Sequence, residues 1–179
     1  MDIQTIQARK DASTVNEQGV RKGIVIQGVV ARPAVSHIDD RGTMCEVYDP
    51  AWGATDFPLV TVSLYTIRPG VAKGWVVHRR QDDRNFLAQG RVKWVLYDDR
   101  PESPTYREIQ ELYVGEYSRQ LVVIPRGVFH AVQNVGEVEA IIVDMPSVRY
   151  NHEDPDKYRL PLVNDVIPYR FASGNVSGW

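Results

Sequence analysis

Between residues 59 and 144 the chain is one short apolar run after another, each closed by glycine, proline or a polar pair. The runs are rich in Val, Ile, Thr and Tyr, whose branched or flat side chains suit a pleated strand. They are too brief for helices that bury a face, and no long amphipathic helix competes with them. LVTVSLYTI at 59–67 is the clearest run. Its two alternating sets of side chains both contain apolar groups, which predicts a central strand. Further strands are predicted over 24–30, 43–48, 73–78, 84–88, 91–98, 105–114, 120–124, 129–133 and 138–144. Pro33 should close the first. Turns are expected at 39–42, 68–70 and 125–127. The last two strands read as a hairpin over 134–137, with Gly136 taking the positive φ. Many short strands at this spacing predict an all-β sandwich or barrel.

Size and charge narrow the possibilities. At 179 residues, 43% of them hydrophobic, the chain fits one domain with a proper core. Residues 1–22 read as an N-terminal arm, 23–171 as the barrel and 172–179 as a C-terminal tail. The stretch after Pro146, rich in Pro, Asp, Asn and Tyr, should wrap the surface, with a helical turn near 153–158. The net charge of −2 supplies no electrostatic reason to bind nucleic acid or a membrane surface. A single cysteine, Cys45, suits a reducing compartment. With no secretory signal and no run long enough to span a membrane, a cytoplasmic protein is expected.

Two stretches carry the candidate chemistry. KGWVVHRRQDDRNFLAQGRVKWVLYDDR at 73–100 contains His78, and IPRGVFHAVQN at 124–134 contains His130. Both histidines lie among strand-forming residues and are expected to face one pocket. Pro125, Gly127, His130 and Asn134 match PxGxxHxxxN, the second signature of the cupin barrels. Gly74, His78 and Gly90 match positions of the first, but Arg80 replaces its second histidine and its glutamate position falls at or beside Arg84. A metal site needs at least three protein ligands, and arginine has no lone pair to give. His78 and His130 then have only Asp83 as a candidate third, so neither a metal nor another cofactor is expected.

Four segments in order carry a closer resemblance over residues 36–170. They are DDRGTMCE at 39–46, AQGRVKWVLYDDRPESPTY at 88–106, IPRGVFHA at 124–131 and LVNDVIPYRF at 162–171. Together they resemble the dTDP-4-dehydrorhamnose 3,5-epimerases, the RmlC-like cupins. The resemblance implies a jelly-roll barrel (a double-stranded β-helix) and a nucleotide-linked 4-keto-6-deoxy sugar as substrate. It implies proton abstraction beside the ketone, an enolate, and a proton returned from the opposite face. It casts His78 as the base, Asp165 as the carboxylate that orients it, and His130 as a second pocket histidine. Arg91 would lie near the keto oxygen, and Arg41 and Glu46 near the nucleotide, often from the neighbouring subunit of a homodimer. Strand exchange at 24–30 would build that dimer.

The chain also departs from the family. The family's donor tyrosine, 13 positions after His130, is Val143 here, and its thymine-stacking tyrosine is Arg149, beside Tyr150. Trp75 replaces an arginine, and Thr43 and Met44 replace two phenylalanines. The proton could then come from water or from Tyr65, Tyr97, Tyr150 or Tyr169. The alternatives are a ketosugar 3,4-isomerase, or a cupin that binds a sugar nucleotide or other small ligand without turnover.

Overall fold

The computed structural model describes residues 10–18, 22–23 and 25–171. The expected tail at 172–179 and the first nine residues of the arm lie outside the described residues. The chain forms β1 (Val30–Pro33), β2 (Ser36–Asp39), β3 (Gly42–Cys45), β4 (Ser63–Ile67), β5 (Ala72–Val77) and β6 (Asp83–Gln89). It continues through β7 (Arg91–Asp98), β8 (Ile109–Gly115), β9 (Gln120–Ile124), β10 (Val128–Asn134), β11 (Ala140–Asp144) and β12 (Tyr158–Arg159). One 3₁₀ turn, Pro50–Trp52, interrupts the series. Two five-stranded sheets run β1-β9-β6-β11-β4 and β12-β5-β10-β7-β8, with β2-β3 as a separate hairpin. This is the expected all-β jelly roll.

The reason lies in two-sided strands. On β7, Val92, Trp94 and Leu96 point between the sheets, while Val95 and Tyr97 point outward beneath the C-terminal segment. Strands covered on both faces need apolar groups on both. The inner layer packs Ile67, Leu87, Val122, Ile124 and Ile142 against β7 and β10. Leu162 and Ile167 cover the outer face of the second sheet around Trp75. On the first sheet, Tyr48, Trp52 and Phe57 pack over Phe86 and Leu121. The polar final segment therefore wraps the barrel as expected.

Several local expectations are corrected. The predicted 24–30 strand is instead coil and a turn at 27–28, and Ile24 lies outside the described residues. The ladder starts at Val30, where β1 pairs with β9 of its own chain and includes Pro33. An edge strand tolerates proline because no neighbour needs its missing N–H. β4 is shorter than predicted and stands at a sheet edge, leaving Val62 and Leu64 exposed. β10 and β11 are not a hairpin, because they belong to different sheets. Their connection is tied by buried Asn134, whose Nδ2 donates to the Ile67 and Val138 carbonyls, each at 2.8 Å. Gly136 donates back to Asn134 Oδ1 and needs no positive φ. The predicted helical turn at 153–158 is a bend leading into β12, which pairs with β5.

Candidate active site between the two sheets

Close approach of β5 and β10 brings the histidines together. Gly74 sits at φ +130°, and a Cβ there would lie 2.5 Å from the Ala131 Cβ. In that ladder His130 pairs with Val76, and His78 follows the end of β5. The Gly127 N–H, in the turn before β10, donates to the His78 carbonyl at 2.8 Å. The imidazole centroids end 5.5 Å apart.

Backbone carbonyls fix both tautomers, since a carbonyl can only accept. His78 Nδ1–H donates to the Asp156 carbonyl, and His130 Nδ1–H donates to that of Val128 at 3.2 Å. Each Nε2 is thereby left facing Asp83 Oδ2, at 3.4 Å in both cases. Asp83 arrives from β6 of the opposite sheet, and its Oδ1 accepts from Gln81 Nε2 at 2.6 Å. Burial works against a charged His78, but the hydrogen bond and charge of Asp83 outweigh it and raise its pKa. At His130 burial wins and lowers the pKa to about 4. Burial would raise the Asp83 pKa, yet the hydrogen bond to His78 and the charge at the two histidines hold it down. One proton can therefore sit between His78 and Asp83, while His130 keeps a lone pair aimed at the same carboxylate.

The cluster opens into a cavity of about 840 Å³ between the sheets, with Trp94 and Val132 on its floor. The wall contributed by the first sheet carries Ser63, Tyr65, Asn85 and Asp144. Tyr65 Oη donates to Asn85 Oδ1 at 3.3 Å, and Ser63 Oγ donates to Asp144 Oδ2 at 3.4 Å. Burial, then the charge of Asp83, pushes the Asp144 carboxyl up to about 7. Lys73, Arg80, Arg149, Lys157 and Arg159 also line the cavity. Arg80 is paired with Asp154 at 3.1 Å, whereas Arg149 and Arg159 have no ion pair among the described residues.

His78, His130 and Tyr150 line this cavity. Tyr150 is half-exposed and meets His152 edge-on at 4.9 Å. The expectation for Asp165 is corrected: it is exposed and outside the cavity lining, and the carboxylate beside His78 is Asp83. Arg41 lies at the exposed β2–β3 turn, paired with Asp39. Glu46 and Arg91 are exposed, and none of these three lines the cavity of their own chain. Of the four tyrosines considered as donors, Tyr65 and Tyr150 reach the cavity. Tyr97 packs under the outer cover, and Tyr169 bonds to Lys93 and Glu111 on that side.

The ligand count used to argue against a metal is also corrected. Ligand atoms of His78, Asp83 and His130 lie within 4.8 Å of one another. Both imidazoles have the carbonyl-bound Nδ1–H usual in metal ligands, so this donor set fits a divalent transition ion. Asp83 precedes Gly90 by seven residues and fills the acidic place of the first signature. Its neighbour Arg84 faces the other way, with its guanidinium 4.3 Å from both the Tyr48 and the Phe57 ring centroids.

Asp156 had no signal in sequence. It lies in the wrapping segment, yet its carboxylate accepts the backbone N–H groups of Arg79, Arg80 and Gln81 at 3.1, 2.7 and 3.0 Å. Through these bonds and its own carbonyl it holds the loop that carries His78.

Comparison with known proteins places the chain in a family. The family model for dTDP-4-dehydrorhamnose 3,5-epimerase matches residues 23–161. The spore coat polysaccharide biosynthesis protein SpsL of Bacillus subtilis is 32% identical over 147 residues, covering 82% of this chain and 97% of its own. The "Probable low-salt glycan biosynthesis epimerase Agl13" of Haloferax volcanii is 32% identical over 138 residues, covering 76% and 88%. Among solved structures, a dTDP sugar isomerase from Desulfovibrio desulfuricans superposes with a TM-score of 0.75 at 19% identity, covering 87% of this chain and 99% of that one. ChmJ, a 3'-monoepimerase from Streptomyces bikiniensis in complex with dTDP-quinovose, gives 0.69 at 20% identity, covering 85% and 83%. The solved structures share the fold, and the sequence matches decide the kinship: this chain belongs to the dTDP-4-dehydrorhamnose 3,5-epimerase family.

Proposed function

We propose that this protein binds a nucleotide-linked 4-keto-6-deoxy sugar and removes a proton from the carbon beside its ketone, in the making of a deoxysugar for a polysaccharide or glycan. The observation that carries this reading is the His78 Nε2. The ring is held at Nδ1 by the Asp156 carbonyl, its Nε2 faces Asp83 at 3.4 Å, and both residues line a cavity of about 840 Å³. An imidazole whose pKa is raised above its ordinary 6.5 is suited to accept a proton near neutral pH. The ketone makes the adjacent C–H acidic, and cations around the cavity offset charge on the enolate oxygen. Arg149 and Arg159 have donors to spare for a diphosphate. Tyr150 offers a flat surface to the base of the nucleotide.

The exposed β2–β3 hairpin, with Ile38 79% and Met44 58% exposed, supports a homodimer in which Arg41 and Glu46 serve the partner's cavity. Sedimentation equilibrium of the wild type should then give twice the mass of 20.3 kDa.

The test is solvent exchange. In D₂O, with a panel of 4-keto-6-deoxy sugar nucleotides, deuterium should enter beside the ketone of at least one. Migration of the carbonyl between C3 and C4 would make it the isomerase. A raised melting temperature without exchange would make it a binding protein. One observation favours a second reading: the His130 lone pair faces Asp83 with no proton between them. An ion bound to His78, Asp83 and His130 would supply a Lewis acid for a carbonyl oxygen, and His78 would no longer be the base. Elemental analysis of the purified protein and its melting temperature after chelation separate the two.

A further inference from the structure

Returning a proton to the opposite face of the sugar needs a donor on the opposite wall, and the family's tyrosine position holds Val143. Valine has no proton to give, and strand parity also turns it away from the cavity. Ala140 and Ile142 point into the inner core, so Asp144 shares their side of β11. Val143 points the other way, into the outer cluster around Phe86 and Leu121. Because the period of a strand is two, one residue separates cavity from outer face. The inward place at this end of β11 belongs to Asp144.

We infer that Asp144 is the acid that protonates the enolate from the side opposite His78. His78 belongs to the wall formed by the second sheet and Asp144 to that formed by the first, and both line the one cavity. In the ladder Asp144 lies opposite Asn85, two residues along β6 from Asp83, which touches His78. Such diagonal neighbours stand ~7–8 Å apart. A base and an acid on two faces of one carbon, each within ~3 Å of it, need about 6 Å between them. The diagonal spacing is between Asp144 and Asp83; because Asp83 meets His78, it places the acid and the base on the same cavity without direct contact between the two carboxylates.

The competing donor on this wall is Tyr65, but its hydroxyl proton is already given to Asn85. Burial also drives its pKa well above 10, away from a group that must lose and regain a proton. Among the described residues Asp144 has only Ser63 as a hydrogen-bond partner, at 3.4 Å, and near neutral pH it is present in both protonation states. The step balances. The C–H proton goes to His78 Nε2 and leaves an enolate; the Asp144 hydroxyl proton goes to the same carbon from the other side. Imidazolium and carboxylate then exchange protons with water through the open cavity.

This assignment rests on the proposed enolisation, and one experiment separates the failure of each. Wild type, Asp144→Asn and Tyr65→Phe are incubated in D₂O with a 4-keto-6-deoxy sugar nucleotide that the wild type inverts. NMR then follows deuterium uptake and configuration separately. Asp144→Asn should take up deuterium within a few-fold of wild type while forming inverted product at least ~100-fold more slowly. Tyr65→Phe should change uptake and inversion in the same proportion, without the split. Inversion by Asp144→Asn within threefold of wild type would overturn the assignment. So would loss of uptake and inversion together in the folded variant, or the split appearing in Tyr65→Phe instead. If Asp144→Asn does not fold, Asp144→Ala is read by the same split. No uptake by the wild type on any member of the panel would remove the enolisation reading, and this assignment with it.

Discussion

The two walls of the cavity are held by different means. On the histidine wall the backbone does the fixing. Carbonyls hold both imidazoles, Gly127 holds the His78 carbonyl, and Asp156 gathers three consecutive N–H groups. On the opposite wall side chains hold side chains. The Tyr65–Asn85 and Ser63–Asp144 bonds are long, 3.3 and 3.4 Å, and Ser63 and Tyr65 stand on an edge strand. The lesson is a division of labour. The group that must meet a C–H bond is built into backbone geometry, while the facing groups keep room to settle on a substrate. Two carboxylates of the first sheet differ as well. Asp83 is held ionised by two histidines, and Asp144, on the neighbouring strand, has its pKa raised to about 7 by burial.

Breaking the histidine wall at its reacting group should have the largest effect. His78→Ala should lower deuterium uptake into the substrate by about 10³-fold, the range of a lost acid–base group, while the melting temperature stays within a few degrees. NMR in D₂O checks it, and wild-type uptake would show that another base works.

The next effect is on folding. Gly74→Val places a side chain where the Ala131 Cβ is 2.5 Å away, at a φ that L residues rarely adopt. Overpacking and backbone strain should together cost more than ~3 kcal/mol, seen as a lower denaturant midpoint with His78 chemistry lost in parallel. An unchanged midpoint would mean that β5 and β10 need no such approach.

The carboxyl wall can be sharpened with pH. The folded Asp144 pKa is raised from 3.8 to about 7, so between those values the native state holds a proton that the unfolded chain has shed. This group's contribution to stability therefore declines as pH rises through that window. It should cost the wild type up to ~4 kcal/mol above pH 7, at 1.36 kcal/mol for each pKa unit. Asp144→Asn should then be more stable than wild type at pH 8, with the gap closing toward pH 4. Chemical denaturation at both pH values measures it; equal gaps would show that Asp144 ionises freely.

The smallest effect tests the loop clamp. Asp156→Ala leaves three backbone donors without their acceptor and should cost about 2 kcal/mol. It should also reduce kcat more than it raises KM, because the His78 loop loses its anchor while the cavity keeps its cations. Unchanged steady-state kinetics would separate the loop from the chemistry.

Much of the barrel was legible because its signals are local. Residues 91–98 and 120–124 became strands at the predicted bounds, since branched and aromatic side chains at period two leave few options. Pro125 and Gly127 also read correctly as a turn leading into the strand of His130, because turn and strand lie within a few residues of each other. The failures are pairings between distant segments. The 134–137 link looked like a hairpin turn, and only the surroundings of Asn134 send the chain to the other sheet. Asp165 matched a family position by residue type, yet its segment runs along the outside of the barrel. Asp156 and Lys157, in a stretch read as surface wrapping, turned out to border the cavity.

By itself the sequence determined an all-β chain with each histidine in or beside a strand, since both follow from period-two patterning and short turn motifs. Only the tertiary structure decided which carboxylate meets His78 and which residue of β11 looks into the cavity. Both depend on how strands far apart in the chain register with each other. A shift of one residue there reverses every side chain while leaving the local pattern unchanged.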